Sequence, residues 1–215
     1  MIHKDKDAHC YKNEHGQEYI SVTTLIARLF PFDRNAIAAK VNNIRGSKYF
    51  GQGVDRILEE WSRSSGHGNR VHNAVEKYIK EKMMPNKGEL VPLVEQFKRL
   101  NFKGNLLSEV TVYDDVHRIA GTTDILEDCP EKIYIWDIKT FNKISDDKIK
   151  KASLQLEIYK RLVEYTLKKP AVPAGILVYE NFVVDRKNTK LKIIKALPCI
   201  KEVDKILADR LIEIS

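Results

Sequence analysis

Gly121-Thr122-Thr123-Asp124-Ile125-Leu126, followed after a short acidic turn by Tyr134-Ile135-Trp136-Asp137-Ile138-Lys139-Thr140, is the stretch that decides the reading of this chain. Both runs are rich in β-branched and aromatic residues and they flank Glu127 to Lys132, so the spacing predicts two strands joined by a tight turn. Side chains alternate along a strand, which sets Asp137 and Lys139 on one face and Trp136, Ile138 and Thr140 on the other. A carboxylate and an ammonium on one face of an apolar strand are costly if buried without partners. Three readings are open: a solvated edge pair, a pair that closes a core, or two groups converging on something brought in from outside. Asp124 on the preceding strand is the obvious third member, and two carboxylates facing one site favour a divalent cation.

Upstream, Leu106 to Tyr113 alternates as a strand that carries Glu109, Asp114-Asp115 turns the chain, and His117 to Leu126 returns as the strand bearing Asp124. With Ile133 to Thr140 this predicts a three-stranded meander. Downstream, a loop rich in Lys and Asp runs from Asn142 to Lys151. From Ala152 the period becomes helical, with Leu154, Leu156, Ile158, Tyr159, Leu162 and Val163 on a broad apolar face. Val172 to Tyr179 returns as a buried strand, and the order strand, helix, strand predicts a right-handed crossover with parallel pairing. Tyr179 to Asp185 extends that strand or opens a hairpin, turning at Arg186 to Thr189 and returning from Lys190 to Ile194. Ile200 to Ile214 is the last helix.

The first hundred residues are predicted to be mainly helical. Residues 1 to 18 are polar, with a turn at Asn13-Glu14-His15-Gly16. Ser21 or Thr23 caps a helix ending near Phe30-Pro31, and a second helical run goes from Phe32-Asp33 to Val41. Val54 to Ser64 forms a third, a break falls at Ser65-Gly66-His67-Gly68, a fourth covers Asn69 to Lys82, and Val91 to Phe102 is a fifth. On the fourth, His72 and Glu76 lie four apart and face the same way. They are either a hydrogen-bonded surface pair or two groups laid against the acidic site.

His72, Glu76, Asp124, Asp137, Lys139 and Gln155 form one candidate constellation. Asp124 and Asp137 supply hard oxygen ligands for Mg2+ or Mn2+, and an imidazole beside them suits Mn2+. Lys139 offers a compact positive charge to orient water or to neutralise a pentavalent phosphorane. Gln155 would hold the water or Lys139, and Tyr159, one turn on, would pack on a base or on the core. Lys148, Lys150 and Lys151 follow the Lys139 strand and are the candidates for substrate contacts. Lys187, Lys190, Lys192 and Lys195 either track a phosphate backbone or protect a hairpin edge. Tyr49, Phe50 and Phe141, near basic loops, are candidates for stacking on unpaired bases.

Gly121-Thr122-Thr123-Asp124, Asp137-Ile138-Lys139-Thr140 and Gln155-Leu156-x-x-Tyr159, preceded by Gly68-x-x-x-His72-x-x-x-Glu76, resemble the motifs of the PD-(D/E)XK nuclease superfamily. The likeness is to its RecB-like exonuclease branch, which includes phage exonucleases and the mitochondrial genome maintenance exonuclease. Members of that branch also tend to begin with a helix entry similar to Ser21-Val22-Thr23-Thr24. The resemblance covers residues 20 to 180 with the motifs in family order. It implies an α/β fold with a restriction-endonuclease-like mixed central sheet flanked by helices, an N-terminal helical region, and metal-dependent phosphodiester hydrolysis. It further implies Asp124 and Asp137 as metal ligands, His72 as an additional ligand and Lys139 as the catalytic lysine. Glu76 matches the acidic residue of the helical motif, and Gln155 with Tyr159 the supporting helix motif. Thr123 stands where many members have Pro. The cysteines that hold an iron–sulfur cluster in some relatives are missing, so the expected cofactor is Mg2+ or Mn2+ with no iron–sulfur cluster.

The 215 residues suit one nuclease domain over residues 1 to 215, with residues 20–100 mainly helical and 105–197 carrying the sheet core. Hydrophobic residues at 43 % and charged residues at 31 % describe an ordinary globular mixture, and the net charge of +7 favours a polyanionic partner. The expected substrate is DNA, single-stranded or with free ends, with a recombination or replication protein as a possible partner. Three scattered cysteines, Cys10, Cys129 and Cys199, argue against a disulfide scaffold or a structural zinc site and for a reducing compartment. No apolar run approaches a membrane span and the N-terminus lacks a signal peptide's apolar segment. The expected location is the cytoplasm, or the host-cell cytoplasm if the chain is phage-encoded. Competing readings are an endonuclease of the same fold, a noncatalytic nucleic-acid-binding module, and a metal-independent hydrolase with paired carboxylates. The last fits poorly beside Lys139 and the positive net charge.

Overall fold

A computed structural model of the chain describes residues 2–5, 10–180 and 189–215. Its centre is a mixed sheet flanked by helices on both faces. The strands are β1 (Ile2–Asp5), β2 (Cys10–Asn13), β3 (Glu18–Ser21), β4 (Asn105–Asp114), β5 (Ile119–Asp128), β6 (Ile133–Phe141), β7 (Ala171–Glu180) and β8 (Lys190–Ile194). They run in the order β1-β2-β3-β5-β6-β7-β8, with β4 pairing β5 off that path. The helices are α1 (Val22–Leu29), α2 (Arg34–Asn43), α3 (Val54–Glu81), α4 (Val91–Lys98), α5 (Asp146–Leu167) and α6 (Ile200–Ile214).

The meander and crossover form as their periodicity predicts. β4 and β6 pair antiparallel with β5, and β7 pairs parallel with β6 after α5. α5, α6 and α1 bury one face of the sheet through Leu156, Leu162, Val203 and Leu25 against Ile119, Ile135 and Val178. α3 and α4 cover the other, where Val71, Val75, Leu93 and Phe97 meet Ile125, Ile138, Leu177 and Tyr179. Ser21 caps α1 by accepting the Thr24 N–H at 3.0 Å, and Asp33 caps α2 by accepting that of Ala36 at 2.9 Å.

Four expectations need correction. Ser65-Gly66-His67-Gly68 does not break the chain: α3 continues through it for 28 residues, about 42 Å at the α-helical rise. Two helical glycines each cost about 1 kcal/mol relative to Ala, but Gly68 sits where a β-carbon would lie 2.9 Å from Thr140 Oγ1. That close approach lets Val71, Val75 and Ile79 reach the sheet, and their burial holds the helix together. α5 begins at Asp146 rather than Ala152, so Lys148, Lys150 and Lys151 lie on its first turns and not in a loop. α4 stops at Lys98, short of Phe102. The polar N-terminus also forms strands, β1 and β2 pairing antiparallel and β2 pairing β3. Its sequence lacks the long apolar alternation that marks a half-buried strand, and of β2 only Tyr11 is buried. β8 returns antiparallel on β7 as expected, while the turn at Arg186 to Asn188 and the strand extension from Asn181 to Asp185 lie outside the described residues.

Candidate active site

The site is created by a fork in the sheet. β4 pairs with β5 on both sides of Glu109, from Asn105 to Ser108 and from Val110 to Asp114. On the other edge, β3 pairs only with Ile119 and Ala120, and β6 only with Ile125 to Asp128. Among the described residues Gly121 to Asp124 therefore have no strand partner on that edge. As β6 diverges, Asp124 takes over the role of the missing strand: its Oδ2 accepts the Ile138 N–H at 2.7 Å. The side chain is thus locked by backbone, and its other oxygen, Oδ1, lies 3.3 Å from His72 Nδ1 on α3.

Glu109 on β4 completes this group. In the β4–β5 register, Ser108 faces Ile125 and Val110 faces Thr123, which sets Glu109 opposite Asp124. Glu109 has a left-handed backbone, φ 55, a conformation that costs an L-residue about 1–2 kcal/mol. The strand changes phase there. Leu106 packs on the α3–α4 side whereas Val110 packs on the α5 side, and Ile119 and Ile125 divide the same way. Residues four or six apart on a regular strand would share a face. The outcome is that donor atoms of His72, Glu109 and Asp124 all lie within 4.8 Å of one another. Sequence reasoning noted Glu109 on its strand without giving it a role. Its signal was its position across the Asp114-Asp115 hairpin, where register counting sets it against Asp124.

Asp137 and Lys139 project from β6 toward α5. Lys139 Nζ lies 2.6 Å from Asp137 Oδ1. Asp137 Oδ2 is buried without a hydrogen-bond partner among the described residues, an arrangement that ordinarily signals a missing cation or water. Burial pushes the Asp137 carboxyl up to about 6, Lys139 opposing the rise and Asp124 adding to it. Burial works against the Lys139 ammonium, but the Asp137 and Asp124 carboxylates more than offset it and hold its pKa above the ordinary value. Lys139 is therefore a fixed cation and no proton acceptor at neutral pH. For His72 too, burial is outweighed by Asp124, and the imidazole pKa is raised. Asp124 itself is lowered: burial pushes it up, and His72, Lys139 and the Ile138 N–H together pull it down further.

Tyr159 braces the floor of the fork from α5, donating its hydroxyl to the Thr122 carbonyl at 2.8 Å, and Gln155 lies one turn before it on the same helix. Tyr11 on β2 bonds Thr122 Oγ1 from the other side at 2.9 Å. The donor set suits a hard divalent cation: carboxylate oxygens with one imidazole, beside a buried carboxylate oxygen lacking a partner.

No family model matches the chain, and no curated protein matches it. Among the solved structures that align with it are two that do so over 91 % of its length. A protein designated SSO0001 is 17 % identical, with 76 % of that chain covered and a TM-score of 0.42. A candidate exonuclease from Eubacterium rectale is 12 % identical, with 78 % of that chain covered and a TM-score of 0.44. Both likenesses are too distant to bear on the chemistry, which rests on the site itself.

The remaining candidates divide. Glu76 pairs with Lys80 at 2.7 Å on α3 and lies outside the group formed by His72, Glu109 and Asp124. Lys150 is committed to an ion pair with Glu202 of α6. Lys148 donates to the Lys143 carbonyl at 2.8 Å and stands 5.0 Å from the Phe141 ring centroid, while Lys151 stands 5.8 Å from that of Phe30. Lys192 pairs with Glu180, and Lys187 lies outside the described residues. Tyr49 is built into the α2–α3 region by accepting the Trp61 indole N–H at 2.9 Å, and Phe50 is 52 % exposed. No described helix is long and apolar enough to cross a membrane.

Proposed function

We propose that this protein is a Mg2+- or Mn2+-dependent nuclease that hydrolyses DNA exonucleolytically, on single strands or free ends. One observation carries the reading: ligand atoms of His72, Glu109 and Asp124 lie within 4.8 Å of one another, next to Asp137, one of whose buried oxygens has no partner among the described residues while the other is tied to Lys139. A binding module gains nothing by concentrating carboxylates where phosphate must approach. Asp124, Asp137, Glu109 and His72 would hold the cation, which when bound polarises a phosphate oxygen and lowers the pKa of an attacking water.

The chain's own groups do the rest. Lys139, tied to Asp137 at 2.6 Å, presents its ammonium where negative charge develops on the phosphorus oxygens. The Asp124–Ile138 bond fixes the distance between β5 and β6, so both carboxylates are oriented before substrate arrives. Tyr159 holds Thr122 and thereby the edge of the fork. Lys148 and Lys151, on the first turns of α5, supply charge for the phosphate backbone.

The test is cleavage of end-labelled linear and covalently closed circular single-stranded DNA with Mg2+, Mn2+ or excess chelator, comparing intact protein with Lys139→Ala and Asp124→Ala. Metal-dependent loss of the linear substrate alone, abolished by both substitutions, is expected. Equal loss of circles indicates an endonuclease, and binding without cleavage under every condition indicates a noncatalytic module.

A further inference from the structure

α3 meets the end of β6 where Gly68 lies against Thr140. The residues of α3 that pack on the sheet, Val71, Val75 and Ile79, all follow that point. The half before it is tied to α2 instead: Arg34 donates to the Leu58 carbonyl at 3.3 Å and to Ser62 Oγ at 3.0 Å, and Asn42 accepts the Gly53 N–H at 2.8 Å. Trp61 belongs to this half. Counting from Trp61 to His72 at 3.6 residues per turn returns to within about 20° of the same face, about 16 Å along the axis. Its indole N–H donates to the Tyr49 hydroxyl at 2.9 Å, which fixes the ring, and Phe32, 57 % exposed, lies 5.7 Å from it between centroids. Two further rings stand nearer the acidic group, each with a lysine. Phe141 follows Lys139 by two residues on β6 and so shares its face, with Lys148 5.0 Å from its centroid. Phe30, also exposed, comes one turn after Ala27, which lines the same cleft as Asp124, and Lys151 is 5.8 Å from its centroid.

We infer that Phe141, Phe30 and the Phe32–Trp61 pair form a stacking track for the unpaired bases of a single DNA strand leading to the acidic group, with Lys148, Lys151 and Arg34 taking its phosphates. The inference rests on the nuclease reading and deepens it by naming how the substrate is held. Among the described residues none of these three cations has a carboxylate partner, whereas Lys48, beside Tyr49, is committed to Glu60 at 2.7 Å. Rings interleaved with uncommitted cations match a strand that alternates aromatic base and phosphate. Every base has a π-face, so such a track tolerates any sequence. In a duplex those faces are hidden inside the stack, so the rings select unpaired strands while the cations do not.

Phe32→Leu and Trp61→Leu keep an apolar side chain and lose the ring face. In a Lys139→Ala background with chelator, binding of a labelled oligothymidylate and of a labelled blunt duplex is followed by anisotropy over a range of salt. Each leucine variant is expected to bind the single strand about tenfold more weakly, the loss of one stacked base, with duplex affinity and salt slope unchanged. Lys151→Gln is expected to lower the single-strand slope of log affinity against log salt by about 0.7, one phosphate contact. Phe32 lies on the surface, so Phe32→Leu decides the matter if urea melts show Trp61→Leu to be unfolded. Single-strand affinity unchanged by the leucine variants, equal losses on single strand and duplex, or no single-strand binding by the Lys139→Ala protein each overturns the track. A dimer dispersed by Phe32→Leu with DNA affinity unchanged overturns it too and assigns the rings to a second copy of the chain. The expected binding pattern in a protein that never cleaves DNA leaves the track standing and removes the nuclease reading; metal-dependent cleavage by a protein whose affinity ignores both substitutions does the reverse.

Discussion

Gly121 leaves the space that Tyr159 fills: a β-carbon on Gly121 would lie 2.7 Å from Tyr159 Cε1, 2.9 Å from its hydroxyl and 2.9 Å from Val22 Cγ2. Gly121→Ala must displace that ring or β5, at about 1–3 kcal/mol for an overpacked site. The cost should appear as a lower urea midpoint with unchanged slope. Loss of the Tyr159–Thr122 bond should lower cleavage at the same time. Tyr159→Ala in the Gly121→Ala background gives the ring's space back, so the two substitutions should be less than additive. Strict additivity would show that the two residues do not share this contact.

Asp124 performs two tasks that substitution separates. Asp124→Asn retains an oxygen for the Ile138 N–H and should fold with nearly unchanged stability. Asp124→Ala leaves that N–H without its acceptor and should cost about 1–3 kcal/mol. Both should lose Mn2+ affinity at least about tenfold by calorimetric titration, as expected for a removed ligand. Retained Mn2+ binding in both variants would remove Asp124 from the donor set.

Glu109 carries backbone strain that its carboxylate alone does not explain. Glu109→Gly and Glu109→Ala both remove the carboxylate, but only glycine accepts φ 55 without a steric penalty. The glycine variant should be the more stable of the two by about 1 kcal/mol, and both should bind Mn2+ more weakly than the parent. Equal stability would mean the strand relaxes around position 109.

The acidic group sets a pH dependence for the metal-free protein. Asp137 is pushed up to about 6, against about 4 in an unfolded chain, so the folded state binds more protons in that window. Stability from this residue is fully present below about pH 4 and is lost as pH rises through 6, by at most about 3 kcal/mol. His72, also raised, loses its contribution at higher pH still, while the lowered Asp124 acts oppositely, below pH 4. Chelator-treated protein should therefore soften between pH 4 and 7 in denaturant melts, and saturating Mg2+ should reverse the trend, because ligation requires the ionised carboxylate. Stability of the metal-free form that rises over this range would contradict the burial of Asp137.

Local chemistry made much of this protein legible in its sequence. The apolar runs of β4 to β7 and the wide apolar face of α5 are periodic over enough residues to fix type and order, and α6 follows from Val203, Ile206 and Leu207. Charges placed inside apolar strands drew attention to Asp124, Asp137 and Lys139, and the structure sets Asp137 against Lys139 and Asp124 beside His72. Tertiary structure alone decided the fork, because it depends on β3 pairing with Ile119 and Ala120 across about a hundred residues of intervening chain. No local pattern records such a pairing. It likewise decided that Glu109 joins the acidic group while Glu76 turns to Lys80 and Lys150 to Glu202. A carboxylate's neighbours are set by the register and crossing of distant elements, whereas a strand or helix is set by the residues within it.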